Sequence, residues 1–106
     1  MTKDLTPRGA AVLDVVVRHF IATGQPAGSV TVAGLLAEKI SSATVRNVMA
    51  EFAKQGYLTQ PHTSAGRMPT ARGYVAYVKH LIRHGDLQRV DERRIRERLD
   101  EAQPEL

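Results

Sequence analysis

The stretch Ser41-Ser42-Ala43-Thr44-Val45-Arg46-Asn47-Val48-Met49-Ala50-Glu51-Phe52-Ala53-Lys54-Gln55-Gly56-Tyr57-Leu58-Thr59-Gln60 decides the fold. Val45, Met49 and Phe52 recur at helical spacing with Val48 on the flank, so Ser42 to about Gln55 reads as a helix with one apolar stripe. Ser41-Ser42 supplies a turn and an N-cap, and Gly56 stands just past the helix, where a left-handed residue is wanted. Beyond Gly56 the period changes. Tyr57-Leu58-Thr59-Gln60 reads as a short strand, Pro61 to Gly66 as a turn, and Arg67-Met68 as the returning strand.

Upstream of this stretch, Thr6 is an N-cap and Pro7 occupies the first helical position, where its missing N–H costs nothing. Leu13, Val16, Val17, Phe20 and Ile21 form one apolar stripe, and Gly24 with Pro26 ends the helix, giving a span of Pro7 to Thr23. Gln25 to Gly28 reads as a short loop. Ser29 or Thr31 then caps a short helix covering Val32, Leu35 and Leu36 and running to Glu38, with Gly34 as its weak point. Downstream, Thr70 caps a fourth helix carrying Tyr74, Val75, Tyr77, Val78, Leu81 and Ile82, closed by Gly85. Asp91 opens a last, charged helix with Ile95 and Leu99 four residues apart.

The 106 residues fit one domain, and 42% hydrophobic residues are enough for a small core. Without cysteine, a disulfide scaffold and a thiolate zinc site are excluded. No apolar run approaches the length of a membrane helix, and the N-terminus leads into no apolar signal segment, so a cytoplasmic protein is expected. Residues 1–85 hold ten Lys/Arg against four Asp/Glu, a net of +6, whereas residues 86–106 hold five Arg against seven acids, a net of −2. The division expected is a basic domain over 1–85 and a charged linker with a C-terminal helix over 86–106, the start of a further region. Between Lys39 and Arg83 the only acid is Glu51, which points to an anionic partner, most simply nucleic acid.

Helix, short helix, tight turn, helix and hairpin is the order of a winged helix-turn-helix, a mainly α fold with a small β-hairpin (α+β). With Val45, Met49 and Phe52 inward, the third helix presents Ala43, Arg46, Asn47, Ala50 and Lys54 outward. Such a face suits a recognition helix in a major groove, where Arg46 can pair with a guanine and Asn47 with an adenine. Ser42 and Thr44 carry short hydroxyls suited to phosphate or base contacts. The hairpin tip is a second site: His62, Thr63 and Ser64 can donate to phosphates, and Arg67 can enter a narrow minor groove. It holds no large apolar side chain, so it is not expected to be a core element.

The chain resembles the N-terminal domain of the heat-inducible transcription repressors of the HrcA family. The resemblance lies in Ala22-Thr23-Gly24-Gln25-Pro26-Ala27-Gly28-Ser29 and in Ser41 to Ala50. Its most specific part is Gly56-Tyr57-Leu58-Thr59-Gln60-Pro61-His62-Thr63-Ser64-Ala65-Gly66-Arg67-Met68-Pro69-Thr70. It implies a dimeric bacterial repressor that binds an inverted-repeat operator, CIRCE, ahead of chaperone genes and is kept competent by the chaperonin GroEL. It further implies that Ser42 to Lys54 is the recognition helix and His62 to Arg67 the wing. From the residues themselves no cofactor, metal, membrane contact or enzymatic activity is expected. Against the family pattern, the chain lacks the long C-terminal part, carries Val30 and Gly34 where polar residues are usual, and has Ser42 where proline is frequent.

Other chemistry is weaker in the sequence. His80 and His84 lie four residues apart on the fourth helix but have no third ligand nearby. His62 with Ser64 lacks an orienting acid for nucleophilic catalysis. His19 reads as a boundary residue. Tyr74 and Tyr77 can stack on unpaired bases, though their spacing with Val78 and Leu81 fits core packing better. The alternative to DNA binding is a winged-helix adaptor that docks its third helix on a protein.

Overall fold

The computed structural model describes residues 5–62, 65–84 and 96–99. Helix α1 spans Pro7–Thr23, as its caps dictate. Thr6 Oγ1 accepts the Gly9 N–H at 3.0 Å, and Pro7 opens the first turn. At the other end Gly24 adopts φ 71° and donates its N–H to the Phe20 carbonyl at 2.7 Å. Val12, Leu13, Val16 and Val17 are buried, while Phe20 and Ile21 sit half-buried at the end of the stripe.

The short second helix differs from the sequence expectation. α2 spans Ser29–Leu35, with Gly28 as N-cap and no side-chain cap bond. Ser29 is therefore the first helical residue rather than the cap, and the helix stops three residues before Glu38. Val32 alone is fully buried, so one side chain anchors this two-turn element. α3 spans Ser42–Lys54, capped by Ser41, with Gly56 at φ 81° past its end.

Strands β1 (Leu58–Thr59) and β2 (Met68–Pro69) pair antiparallel, with Leu58 opposite Pro69 and Thr59 opposite Met68. The return strand lies one residue later than expected, because Arg67 pairs elsewhere. Its N–H and C=O exchange two 2.9 Å bonds with the C=O and N–H of Ala27. Backbone groups alternate sides along a strand, so the missing N–H of Pro69 falls on the Ala27 side and costs the β1 pairing nothing. The supposed loop Gln25–Gly28 thus contributes a buried residue to the sheet edge.

α4 spans Ala71–His84 and lies across α1. The core joins Val12, Leu13, Val16 and Val17 of α1 to Val32, to Val45, Met49 and Phe52 of α3, to Tyr57 and Leu58, and to Tyr77 and Leu81 of α4. Each fully buried aliphatic side chain contributes roughly 1.5–3 kcal/mol, so this one cluster fixes the orientation of α3. The architecture is a winged helix-turn-helix. Gly85, Asp91 and Ile95, read as helix boundaries and anchor, lie outside the described residues; residues 96–99 are helical and exposed.

Candidate nucleic-acid interface

The Val45–Met49–Phe52 row, buried against α1 and α2, sets the rotation of α3 about its own axis. That rotation leaves Ala43, Arg46, Asn47 and Lys54 exposed and Ser42, Thr44 and Ala50 half-buried. Ser41 organises the first turn. Its Oγ accepts the Thr44 N–H at 3.2 Å and donates to Thr44 Oγ1 at 3.0 Å. The Thr44 hydroxyl is thereby oriented by its neighbour and keeps its own hydrogen to donate. No acid stands in the first turn, and Lys54 lies in the last.

At the hairpin, His62 is exposed and Arg67 half-buried. Thr63 and Ser64, expected to donate to phosphates, lie outside the described residues. The return arm is not a free flap. Gly66 is buried, and a Cβ on it would stand 3.0 Å from the Ala27 carbonyl carbon. Among the described residues the hairpin tip contributes no side chain to the hydrophobic core, but its backbone packs on the α1–α2 connection at Gly66-Arg67. Glycine is needed there to let two backbones approach.

The base of the hairpin is tied to both neighbouring helices through Thr70. Its N–H donates to the Tyr57 carbonyl at 3.0 Å, and its hydroxyl donates to the Gly56 carbonyl at 2.6 Å. The same hydroxyl oxygen accepts the Gly73 N–H at 3.0 Å, which caps α4. Gly73 presses on this junction so closely that a Cβ would lie 2.1 Å from the Tyr57 carbonyl oxygen. Beside it the Phe52 and Tyr57 rings meet at 6.0 Å, and the Arg72 guanidinium lies 5.6 Å from the Tyr57 ring centre. Sequence reading identified Thr70 as a cap but not its bond back to the end of α3. The signal for Gly73 was a glycine within the first turn of an otherwise regular helix. Ala27 carried none.

A second polar cluster sits between α1 and α4. The Tyr77 hydroxyl donates to Asp14, whose carboxylate also accepts from Arg18 Nε at 2.8 Å. Burial raises the Tyr77 phenol pKa, the bond to Asp14 and its negative charge raise it further, and Arg18 partly opposes them. Burial also raises that of Tyr74, which is half-buried. Tyr77 is committed to the core, and His19 is half-buried at its edge. His80 is half-buried beside the cleft over Asp14, and among the described residues no three His, Cys, Asp or Glu gather to hold a metal ion. No helix among them is long and apolar enough to cross a membrane.

No protein-family model matches the chain. It is similar to the heat-inducible transcription repressor HrcA of Syntrophobacter fumaroxidans, at 42% identity over 97% of the chain and 30% of that protein. The HrcA of Geobacter sulfurreducens is 41% identical over 93% of the chain and 29% of its own length. That of Pelotomaculum thermopropionicum is 46% identical over 87% of the chain and 26% of its length. A crystal structure of a hypothetical protein at 2.2 Å resolution superposes with a TM-score of 0.69 and 39% identity, over 74% of this chain and 25% of that one. The chain is thus a homologue of the N-terminal region of these repressors and spans under a third of their length.

Proposed function

We propose that this homologue of the N-terminal region of the heat-inducible repressors binds duplex DNA through α3 and the hairpin, as the reading head of a repressor of heat-shock genes. The observation that carries the reading is the face of α3. A row of small, amide and basic residues (Ala43, Asn47, Arg46, Lys54) is held outward by a fully buried opposite face. In this arrangement the N-terminal half of α3 enters a major groove. Arg46 addresses a guanine edge and Asn47 an adenine edge, while Ser42, Thr44 and Ala50 line the approach. His62, Thr63, Ser64 and Arg67 follow the adjoining backbone or minor groove.

Repression is by occupancy. Two copies on an inverted repeat of CIRCE type place both α3 helices on one side of the duplex. Pairing raises affinity because the second head binds at the effective concentration set by the first. Dimerisation and the chaperonin GroEL as the partner that keeps the repressor competent are part of the same proposal. The basic surface, with Glu51 the single acid from Lys39 to Arg83, supplies the sequence-independent attraction.

The deciding experiment is fluorescence anisotropy on three labelled duplexes at about 0.15 M salt, where non-specific binding is weak. They are an inverted repeat, one half-site and a scrambled control. Preference for the repeat and half-site over the scramble is expected. Equal binding to all three rejects sequence reading by this chain, and no binding to any rejects the DNA function in favour of a protein-docking role.

A further inference from the structure

α4 carries two apolar rows, although the fold consumes only one. Tyr77 and Leu81 are buried, with Tyr74 packed beside them. The 3.6-residue period sets Val75, Val78 and Ile82 together on the neighbouring shoulder of the same helix. Val75 is 52% exposed and Ile82 66%, with Val78 half-buried between them. Next to this row, on the side away from the core, come Arg72, Lys79 and Arg83, all exposed. α4 contains no acid.

Single exposed aliphatics are ordinary, but two that flank a half-buried third in one row, along a helix already anchored by another face, form an unused contact surface. Its chemistry restricts what covers it. A duplex offers phosphates to the basic edge but nothing of matching extent to the aliphatic row. A second α4 laid along the first brings a basic edge against a basic edge, which opposes pairing. The complement is a helix with its own apolar stripe bordered by Asp or Glu, laid along the row as an amphipathic helix lies in a groove. We propose that the Val75–Val78–Ile82 shoulder of α4 is the docking surface for an acidic amphipathic helix, with Lys79 and Arg83 setting its orientation.

The test uses the whole chain and two fluorescein-labelled helical peptides with the same leucine stripe, one flanked by glutamates and the other by lysines. The glutamate peptide is expected to bind at least tenfold tighter. Val75→Ser with Ile82→Ser should weaken it at least tenfold while circular dichroism and DNA affinity stay as in the parent. Lys79→Glu with Arg83→Glu should reverse the preference between the peptides. Equal binding of both peptides, no binding of either, or binding indifferent to the serine pair overturns the proposal. So does sedimentation showing a dimer that Ile82→Ser dissolves, since the occupant is then a second copy. Ile82-dependent binding to phosphatidylserine/phosphatidylcholine vesicles without peptide binding overturns it in favour of a lipid surface.

Discussion

Gly73 is the position where one atom matters most. A methyl group there would overlap the Tyr57 carbonyl oxygen at 2.1 Å, and that oxygen is backbone, held by the Thr70 N–H. Neither side can give way without opening the junction between hairpin and α4. Gly73→Ala should therefore destabilise by about 3 kcal/mol or more, although alanine is the better helix former. A denaturant midpoint that stays or rises would show that the junction is softer than described. Tyr77 makes a second prediction. Its phenol is held neutral in the fold, with its pKa raised above the ordinary value of 10.0. Folding thus favours the protonated form: the stabilisation is whole below pH 10.0 and is lost as pH climbs from there toward the raised value. Tyr77→Phe should cost about 1–2 kcal/mol at neutral pH, because Asp14 retains Arg18 and some solvent. It should also flatten the alkaline stability loss, read from denaturant midpoints between neutral and strongly alkaline buffer. An unchanged alkaline slope would remove Tyr77 from this role.

Among the elements, those whose ends are written in side chains were legible and those defined by backbone contacts were not. Thr6, Pro7 and Gly24 state the limits of α1 outright, and Ser41 with Gly56 does the same for α3. α2 has a glycine at its cap, a glycine inside it and one buried anchor, Val32, so its limits are set by packing against α3 rather than by its own residues. The strand shift at Arg67 has a similar cause. Its partner Ala27 lies forty residues away in a segment that reads as a turn, and no local pattern announces a pairing across that distance. The outward face of α3 was legible because it is the complement of the apolar stripe. That face and the hairpin should separate on binding. Arg46→Ala should cost about 1–3 kcal/mol on the correct site and narrow the gap between specific and scrambled duplexes. Arg67→Ala should weaken all duplexes alike. An unchanged specific-to-scrambled ratio for Arg46→Ala would exclude it from base reading, and a selective loss for Arg67→Ala would make the hairpin a base reader.

For the molecule as described, the buried cluster is continuous from Val12 to Leu81, and none of α1 to α4 has a separate core. The region from α1 to α4 should unfold as one unit. Far-ultraviolet dichroism, which follows the helices, and tyrosine fluorescence, which follows Tyr57, Tyr74 and Tyr77, should give coincident urea transitions. Distinct midpoints would mean that the hairpin and α4 come apart from the helix-turn-helix. This unit is similar to under a third of the length of its relatives, and in the proposed repressor it supplies the reading surface.

The exchange of two bonds between Ala27 and Arg67 has a mechanical meaning. The hairpin and the connection between α1 and α2 share one seam, so a force on the tip is not absorbed locally. Solvent hydrogen exchange at the Ala27 and Arg67 amides is then gated by one event, the parting of that seam, and the two protons leave together. If the hairpin follows a duplex backbone as proposed, a load on it passes to the segment that joins α1 to α2, and a side chain enlarged at position 27 should alter the reach of the hairpin without touching nucleic acid.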